Sequence, residues 1–283
     1  MRWIPILIVC SSLLTLPAQG ASIYRWVDAE GKVHYGDKPP TSKSPDTASR
    51  LKRLEHYSER YTVQTALDGD TLMLTNGTRV RLIGVNAPEI ARNNSPNQPG
   101  GQEAMDFLYK LAKDKTVRLE SEVQRFDRYH RRLAHPILPD GRSITSILLR
   151  SGMVHVSLVP PNIARAEQLF RDEAYARRRK VGLWAMKDYQ VLPARNAASY
   201  RNTWRRLRGK VVSVQPKLKY TYLYFESGLV AYFDNENLQR FIEAGRDPLQ
   251  LEGRTVVVRG WVRQQSGQPV IKLSHPLEIE SVR

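Results

Sequence analysis

The sequence contains a single cysteine, Cys10, and it lies in an apolar stretch near the N-terminus. One cysteine cannot form an internal disulfide, and it cannot supply the cluster of thiolates that holds a structural zinc. Beyond the first twenty residues, no apolar run approaches the roughly 18 residues that a membrane-spanning helix needs. Disulfide scaffolds, cysteine-ligated metal proteins and helical membrane proteins are therefore excluded.

Acidic residues are also few. The chain has 28 Asp and Glu against 44 Lys and Arg, which gives a formal net charge of +16 at pH 7. An excess of this size favours polyanionic partners such as nucleic acid, anionic lipid or acidic glycans. The basic residues are spread over both large segments defined below, which favours a basic surface over a disordered basic arm.

The first twenty residues have the pattern of a secretory signal. Arg2 supplies a positive start, Trp3 to Leu16 is mostly apolar, and Ala18-Gln19-Gly20 ends in small residues. We expect residues 1–20 to be a signal peptide cut after Gly20. The protein is then periplasmic or secreted, with no membrane insertion after cleavage.

Residues 21–40 predict a β-hairpin module. Two alternating runs, Tyr24 to Val27 and Val33 to Tyr35, flank Ala29-Glu30-Gly31. The segment resembles a short module that follows the signal peptide in many bacterial envelope proteins. Two strands alone are marginally stable in water, so we expect the hairpin to pack on another surface, such as an envelope protein. Residues 41–60 are rich in Ser, Thr, Lys and Pro and predict a linker.

Residues 61–185 predict a small β-barrel with helices. Strand-like runs occur at 61–66, 71–74, 79–85, 117–122 and 133–138, and helical periodicity at 103–111, 143–150 and 163–179. Five short strands with three helices fit a five-stranded barrel of the OB type.

Residues 201–283, after a predicted linker at 186–200, have a similar pattern. Strand-like runs occur at 209–214, 221–225, 229–233, 255–262 and 270–273, with a short helix at 238–244. We therefore predict a mainly β protein with some α-helix, in which a second, small OB-like barrel follows the first. Tyrosines and phenylalanines in these strands lie among basic residues, a combination that suits single-stranded nucleic acid. Strand alternation would also turn about half of these aromatic side chains into the core.

Three charged motifs lie in the first barrel, in a fixed order. Asp68-Gly69-Asp70-Thr71 follows the first strand, the segment from Arg81 to Pro88-Glu89 ends the third, and the segment from Asp127 to Leu133 leads into the fifth. One such motif alone would be an ordinary turn. Together with the closing Val181-Gly182-Leu183-Trp184 they resemble the thermonuclease (staphylococcal nuclease-like) family, from about Thr62 to Trp184.

This resemblance implies a nuclease that cleaves DNA and RNA phosphodiesters with one Ca²⁺ ion. By position in the motifs, Asp70 and Asn86 match side-chain ligands of the metal, and Ala87 matches a ligand through its backbone carbonyl. Glu89 matches the general base that activates water, and Arg81 and Arg131 match the two arginines that bind the phosphate. The chemistry is consistent, since a hard cation and guanidinium groups neutralise the phosphate that the water attacks.

Arg128, His130 and Arg132 flank the second arginine of the motif and are our candidate nucleic-acid-binding residues. His130 replaces a usual glycine, and it is either a phosphate contact or a plain surface residue. Asp127 is expected to fix its loop rather than to act in chemistry. The family's nucleotide-holding tyrosines are missing from Val156–Pro161, so base stacking there is not expected.

Asn86 is the most consequential departure from the family pattern, which has aspartate at this position. An amide oxygen can ligate calcium, but it carries no charge, and calcium affinity depends on ligand charge. Weaker calcium binding and reduced activity are expected. Two functions remain open: a calcium-dependent nuclease acting on DNA or RNA, preferably single-stranded, or a weakened or inactive relative that serves as a nucleic-acid-binding or envelope interaction module.

Overall fold

The structure is a computed structural model that describes residues 24–27, 33–36, 60–90 and 98–282. The chain divides into two units between Tyr57 and Ser58. In the first unit, β1 (Tyr24–Val27) and β2 (Val33–Gly36) pair antiparallel, as the alternation predicted. The proposed signal peptide at residues 1–20, and the predicted linker at 41–60 apart from Arg60, lie outside the described residues.

The second unit begins with a closed five-stranded barrel. In chain order, the first six strands of this unit are β3 (Arg60–Asp68), β4 (Thr71–Leu74), β5 (Arg79–Leu82), β6 (Val85–Asn86), β7 (Thr116–Glu120) and β8 (Arg132–Ile137), and all of them except β6 belong to the barrel. The barrel order is β3-β4-β5-β8-β7, which confirms the predicted five-stranded barrel. Irregularities in β3 near Val63 and Ala66 increase its local bend and twist, which helps the sheet close.

Three helices cover the barrel, close to the predicted bounds. They are α1 (Gly101–Ala112), α2 (Ile144–Arg150) and α3 (Ala166–Arg179). Their apolar faces bury Leu108, Leu148 and Leu169 against Leu72 and the other inward-facing strand residues. The short β6 leaves the barrel and pairs with β9 (His155–Val156), so that Asn86 lies opposite His155.

The remainder of the unit is a second sheet of eight strands. These are β10 (Val191–Pro193), β11 (Trp204–Pro216), β12 (Tyr220–Phe225), β13 (Val230–Asp234), β14 (Thr255–Trp261), β15 (Arg263–Gln265), β16 (Gln268–Lys272) and β17 (Ile279–Val282), with α4 (Leu238–Glu243) after β13. The order is β15-β16-β13-β12-β11-β14-β17, and β10 pairs with β11. The predicted second barrel is thus found as an open sheet. The predicted strand at 255–262 ends at Trp261 as β14, which pairs with β11. After Val262 the chain continues as β15, which pairs with β16.

Residues 186–200 differ from the linker that their composition predicted. They contain β10 and two short 3-10 helices, Lys187–Tyr189 and Ala194–Tyr200, and they bury Tyr189, Ala194 and Ala197. The physical reason is burial: Tyr189 shares an apolar cluster with Trp184 and Trp204, whereas Ala194 and Ala197 pack in the core of the second sheet.

A buried ion-pair network joins the second sheet to the barrel. Arg259 of β14 is 1% exposed and ion-pairs with Glu173 of α3 and with Glu280. Arg177 and Arg206 also pair with Glu280, at 2.9 and 2.6 Å. Burial costs paired charges much less free energy than it costs isolated charges, because each has a partner of opposite sign. The network therefore holds the second sheet against α3.

The described helices include none that is both long and apolar enough to cross a membrane.

Candidate active site

Asp70 is the buried centre of the candidate site. It follows the turn between β3 and β4, where Gly69 leaves no room for a side chain because a Cβ there would lie 2.6 Å from those of Ala87 and Ala104. Asp70 Oδ2 accepts hydrogen bonds from the Ala87 backbone N–H (2.9 Å) and from Arg81 (2.8 Å). Burial raises the pKa of Asp70 to about 7, while the Arg81 guanidinium acts to lower it.

Arg81 lies between the carboxylate of Asp70 and the amide of Asn86. Its Nη2 donates to Asp70 Oδ2 and also to Asn86 Oδ1, at 3.0 Å, and its Nη1 donates to the Leu82 carbonyl at 2.8 Å. Gly84 makes this arrangement possible, since its φ of +77° turns the chain between β5 and β6, and a Cβ there would clash with Leu169. The turn brings the end of β6 back beside Arg81.

The Asn86 amide is held in one orientation by two partners of opposite character. Its Oδ1 accepts from Arg81, and its Nδ2 donates to the Ala87 carbonyl at 2.7 Å. Arginine can only donate and a carbonyl can only accept, so the flipped amide would lose both bonds. The amide nitrogen therefore occupies the position beside the Ala87 oxygen where the resemblance expects a cation.

The donors as arranged do not fit calcium. Asp70, Asn86 and Ala87 supply oxygens of the right chemical type, but each candidate oxygen already accepts a hydrogen bond, and only Asp70 carries a negative charge. The guanidinium of Arg81 offsets that charge. Among the described residues there is likewise no cluster of three or more His, Cys, Asp or Glu side chains that could hold a metal.

The second arginine, Arg131, is positioned by the turn that precedes β8. Asp127 caps this turn: its Oδ1 accepts from the backbone N–H groups of Tyr129 and Arg131, and its Oδ2 accepts from Arg131 Nε at 2.7 Å. Burial acts to raise the pKa of Asp127, but these hydrogen bonds outweigh it and the pKa is lowered. The expectation that Asp127 fixes its loop is confirmed.

A hydrogen-bond chain connects the two arginines. Arg131 Nη1 is 3.4 Å from Thr71 Oγ1, and the Thr71 hydroxyl donates to Asp70 Oδ1 at 3.0 Å. Arg81 donates to the other oxygen of the same carboxylate. Asp70 thus orients Arg81 directly and is linked to Arg131 through Thr71, while Asp127 holds Arg131 directly.

Of the three residues predicted to bind nucleic acid, only one lines the cleft. Arg128 lies over the ring of Tyr129 and lines the same cleft as Arg131. His130 is exposed at the tip of the turn with a φ of +56°, outside the cleft lining. Arg132 points elsewhere, with its Nη1 donating to the Tyr61 hydroxyl at 2.8 Å.

Glu89 is exposed and does not line the cleft. Its backbone is anchored, since its N–H donates to Gln98 Oε1 (3.1 Å) and its carbonyl accepts from Gln98 N–H (2.9 Å). Its carboxylate has no hydrogen-bond or ion-pair partner within 60–90 and 98–282. A free, hydrated carboxylate can accept a proton from water, but the structure does not place it against the two arginines.

A cleft of about 640 Å³ opens beside these groups, between the barrel and the second sheet. Arg81, Asn86 and Arg131 lie on the barrel side, and Tyr232, Trp261 and Lys272 lie on the sheet side. Three lining residues, Tyr129, Trp261 and Arg263, were not predicted as site residues. Tyr129 lies inside the motif from Asp127 to Leu133, whereas nothing in the local sequence marks Trp261 or Arg263.

Comparison with known proteins identifies the first part of the unit. The family model described as "Staphylococcal nuclease homologue" matches residues 79–186, and a domain of unknown function (DUF4124) matches residues 10–59. The chain is similar to "Thermonuclease" of Staphylococcus intermedius, with 33% identity over 129 residues, which cover 44% of this chain and 76% of the relative. It is also similar to "Thermonuclease" of Staphylococcus hyicus (32% over 131 residues; 45% and 76%) and to "Endonuclease YncB" of Bacillus subtilis (34% over 133 residues; 45% and 63%).

The matched region holds Arg81, Arg131 and Asp127, whereas Asp70 lies just before it and the second sheet lies beyond it. The motifs, the closed barrel and a relative that is covered over three quarters of its length agree with one another. The chain belongs to the staphylococcal nuclease family.

Proposed function

We propose that this protein is a hydrolase that cleaves phosphodiester bonds of DNA or RNA, with a preference for single strands. The observation that carries the proposal is the shared carboxylate: Asp70 orients Arg81 directly and Arg131 through Thr71, on the wall of an open cleft. Its thermonuclease and endonuclease relatives support nuclease chemistry. The basic composition supports a polyanionic substrate.

The chemistry follows from what each group can donate. In the proposed reaction, the guanidinium groups of Arg81 and Arg131 bind the phosphate oxygens and stabilise the charge that builds up in the transition state. Because Asp70 and Asp127 already fix their orientation, little reorganisation is needed when the phosphate arrives. Glu89 takes the proton of the attacking water, a role supported by its motif position and by the exposure of its side chain.

Calcium, which the sequence predicted as the cofactor, stays a prediction for this chain. No catalytic step is assigned to it, because the amide of Asn86 satisfies the Ala87 carbonyl. If calcium binds, it must displace this hydrogen bond, so a requirement well above that of a site with two carboxylates is expected.

The site of action is also proposed. The pattern of residues 1–20 supports export to the periplasm or the medium and cleavage after Gly20. Mass spectrometry of the exported protein should give an N-terminus at Ala21, and an intact Met1 in the periplasmic fraction would contradict the cleavage.

A second candidate function, nucleic-acid binding without cleavage, is favoured by the Asn86 amide alone. The Asn86 Nδ2 donates to the Ala87 carbonyl, which the family resemblance assigns to the metal, and this is the arrangement expected of a site that has lost its metal. On this alternative the arginines still bind phosphate, and binding persists in chelator while cleavage is absent at every calcium concentration.

One experiment separates the two candidates. Labelled single-stranded DNA and RNA are incubated with the purified protein across a calcium titration and in chelator, together with the variant Glu89→Gln. We expect cleavage that falls at least about a hundredfold in Glu89→Gln, in line with the loss of a general base. The matched control is Glu103→Gln, which changes another exposed glutamate, on α1. An unchanged rate in Glu89→Gln removes Glu89 as the base, and binding without cleavage selects the second candidate.

A further inference from the structure

The outer face of the second sheet carries four neighbouring tyrosines. Tyr220, Tyr222 and Tyr224 alternate along β12 with buried residues, and Tyr232 lies opposite Tyr222 on β13. All four are partly exposed, whereas Phe225 and the other inward-facing aromatics are buried. We call these four residues the tyrosine face.

The rings of the tyrosine face form one continuous surface. Tyr222 lies 5.7 Å from Tyr232 and 6.2 Å from Tyr224, with interplanar angles of 27° and 26°. Tyr220 meets Tyr232 edge-on at 5.4 Å. Interlocked rings lose little further conformational entropy when a flat ligand binds, so the face is pre-organised for stacking.

Cations border the tyrosine face. Lys217 lies 5.1 Å from the Tyr222 ring and Lys219 lies 5.3 Å from the Tyr220 ring, both on the loop between β11 and β12. Leu218, between these lysines, is fully exposed. Lys272 lies on the neighbouring strand and is paired with Asp234 at 2.7 Å. Aromatic rings with ammonium groups at their edges match a ligand that has both flat rings and phosphates.

The tyrosine face is continuous with the cleft of the candidate active site. Tyr232 of the tyrosine face lines the cleft, and so do Lys272, Trp261 and Arg263 from the same sheet. On the barrel side, the cleft is lined by Leu158 and Val159, in the segment where the nuclease family has tyrosines. The second sheet therefore supplies the rings that this segment of the barrel lacks.

We propose that the tyrosine face binds a single strand of nucleic acid by base stacking and leads it into the cleft. The ligand is single-stranded because a duplex hides the faces of its bases, while an unpaired strand offers one to each ring. The direction of the strand, towards Arg81 and Arg131, rests on the proposed function; the binding itself does not.

Binding is tested in chelator, so that cleavage does not interfere. Fluorescence anisotropy measures the Kd of the full chain for an oligothymidylate of about 20 nucleotides, for an abasic strand of the same length and for a duplex. Tyr222→Leu and Tyr232→Leu remove the ring and keep an apolar side chain, whereas Tyr222→Phe keeps the ring. Tyr175→Leu is the matched control, because Tyr175 also lies between cations, Arg150 and Arg179, but on α3.

We expect each leucine variant of the tyrosine face to weaken oligothymidylate binding about tenfold, while Tyr222→Phe and Tyr175→Leu stay within about twofold of the unmodified chain. The abasic strand and the duplex should bind more weakly and respond little to the variants. An unchanged Kd in both leucine variants, an abasic strand bound as tightly as oligothymidylate, or no binding of any single strand would each overturn the proposal.

Cleavage assays keep the two proposals distinguishable. Tyr222 does not line the cleft, so a dinucleotide bound by Arg81 and Arg131 is not expected to need its ring, whereas a long strand that also occupies the tyrosine face is. If Tyr222→Leu slows cleavage of the long strand and not of the dinucleotide, both proposals hold. Ring-dependent binding without any cleavage would remove the nuclease proposal alone, and equal cleavage of both substrates by all variants would remove the tyrosine face alone.

Discussion

Asn86 shows how a single atom can change a site. In the amide, an N–H group donates to the Ala87 carbonyl; in aspartate, the same position would hold an oxygen 2.7 Å from that carbonyl. Two oxygens so close repel each other unless a cation lies between them. The residue type could be read from the sequence, but its consequence depends on two partners whose positions only the fold provides.

Asn86→Asp is therefore expected to strengthen calcium binding. The added carboxylate should lower the calcium midpoint for cleavage by about tenfold or more, and raise the maximal rate. Calcium titration of the cleavage rate measures this. Asn76→Asp, in the exposed turn between β4 and β5, is the control for added charge alone, since the Asn76 Oδ1 accepts only the backbone N–H of Thr78 among the described residues. Equal midpoints in Asn86→Asp and in the parent chain would contradict the interpretation of the site.

The order of the motifs predicted that Asp70, Arg81 and Arg131 converge, and the structure brings all three together. It did not predict the separate position of Glu89, or that Arg132 turns to Tyr61. Arg131 is held by Asp127 in the turn before β8, whereas Arg132 is the first residue of β8 and its side chain meets Tyr61. The motif gives the residue types in order, but the direction of each side chain depends on where the turn ends and the strand begins.

At the scale of secondary-structure elements, the turn from Asp127 to Arg131 positions one of the two arginines. A second turn in the same barrel has the same local design, because Asp140 accepts from the backbone N–H of Arg142 at 3.0 Å and from its Nε at 2.8 Å. The second turn is exposed and does not line the cleft. The two turns can therefore be compared: one positions an arginine in the candidate active site, and the other has the same hydrogen bonds at an exposed position outside the cleft.

Asp127→Asn is expected to reduce kcat about tenfold and to leave the fold intact. The amide keeps an oxygen for the backbone N–H groups, but its nitrogen cannot accept from Arg131 Nε, so the guanidinium loses its orientation at a cost of about 1.5 kcal/mol. Steady-state kinetics should show a change in kcat larger than that in KM. Asp140→Asn is the control, and equal kcat values for both variants would contradict a positioning role.

The five barrel strands were predicted from the sequence, whereas strands of two or three residues were missed as separate elements. The five barrel strands agree with the sequence pattern, because their inward residues form one continuous core. β6, β9, β10 and β15 have only two or three residues each, too few to show any periodicity. Yet β6 and β9 position Asn86, so an element that the pattern could not reveal shapes the site.

At the scale of the whole molecule, His275 is one point where the second sheet meets the barrel. Its ring is 7% exposed, lies 6.1 Å from the Phe170 ring of α3, and accepts the Leu277 backbone N–H through Nδ1. Burial lowers the pKa of His275 to about 4, with Arg240 and Arg246 lowering it further and Glu167 opposing them. A protonated ring could not accept that hydrogen bond, so the folded protein holds the neutral form.

Acid should therefore weaken the folded protein through His275. The unfolded chain takes up a proton near pH 6.5 and the folded one only near pH 4, so stability from this group is complete above pH 6.5 and is lost as pH falls towards 4. At pH 5 the loss amounts to about 2 kcal/mol of unfolding free energy. Urea denaturation at pH 7.5 and 5.0 measures it, with His275→Asn as the comparison, since asparagine can cap the same N–H without titrating. The same pH-dependent loss in His275→Asn would contradict the prediction.

The union of the barrel and the second sheet was the least predictable level. Local sequence presents Arg259 as one basic residue in a strand-like run, and Glu173 as one acidic residue in a helix; 86 residues separate the pair. Pairings over such distances leave no local pattern, because nothing adjacent in the chain constrains them.

The same separation has a consequence for shortened chains. Glu173 lies at the centre of α3 with its carboxylate buried, where it accepts the Val156 backbone N–H and lies 3.8 Å from Arg177. A chain that ends before β14 keeps every motif of the candidate active site but loses Arg259, the fully buried counter-charge of this carboxylate. Truncation of the second sheet should therefore destabilise a barrel whose motifs it does not touch.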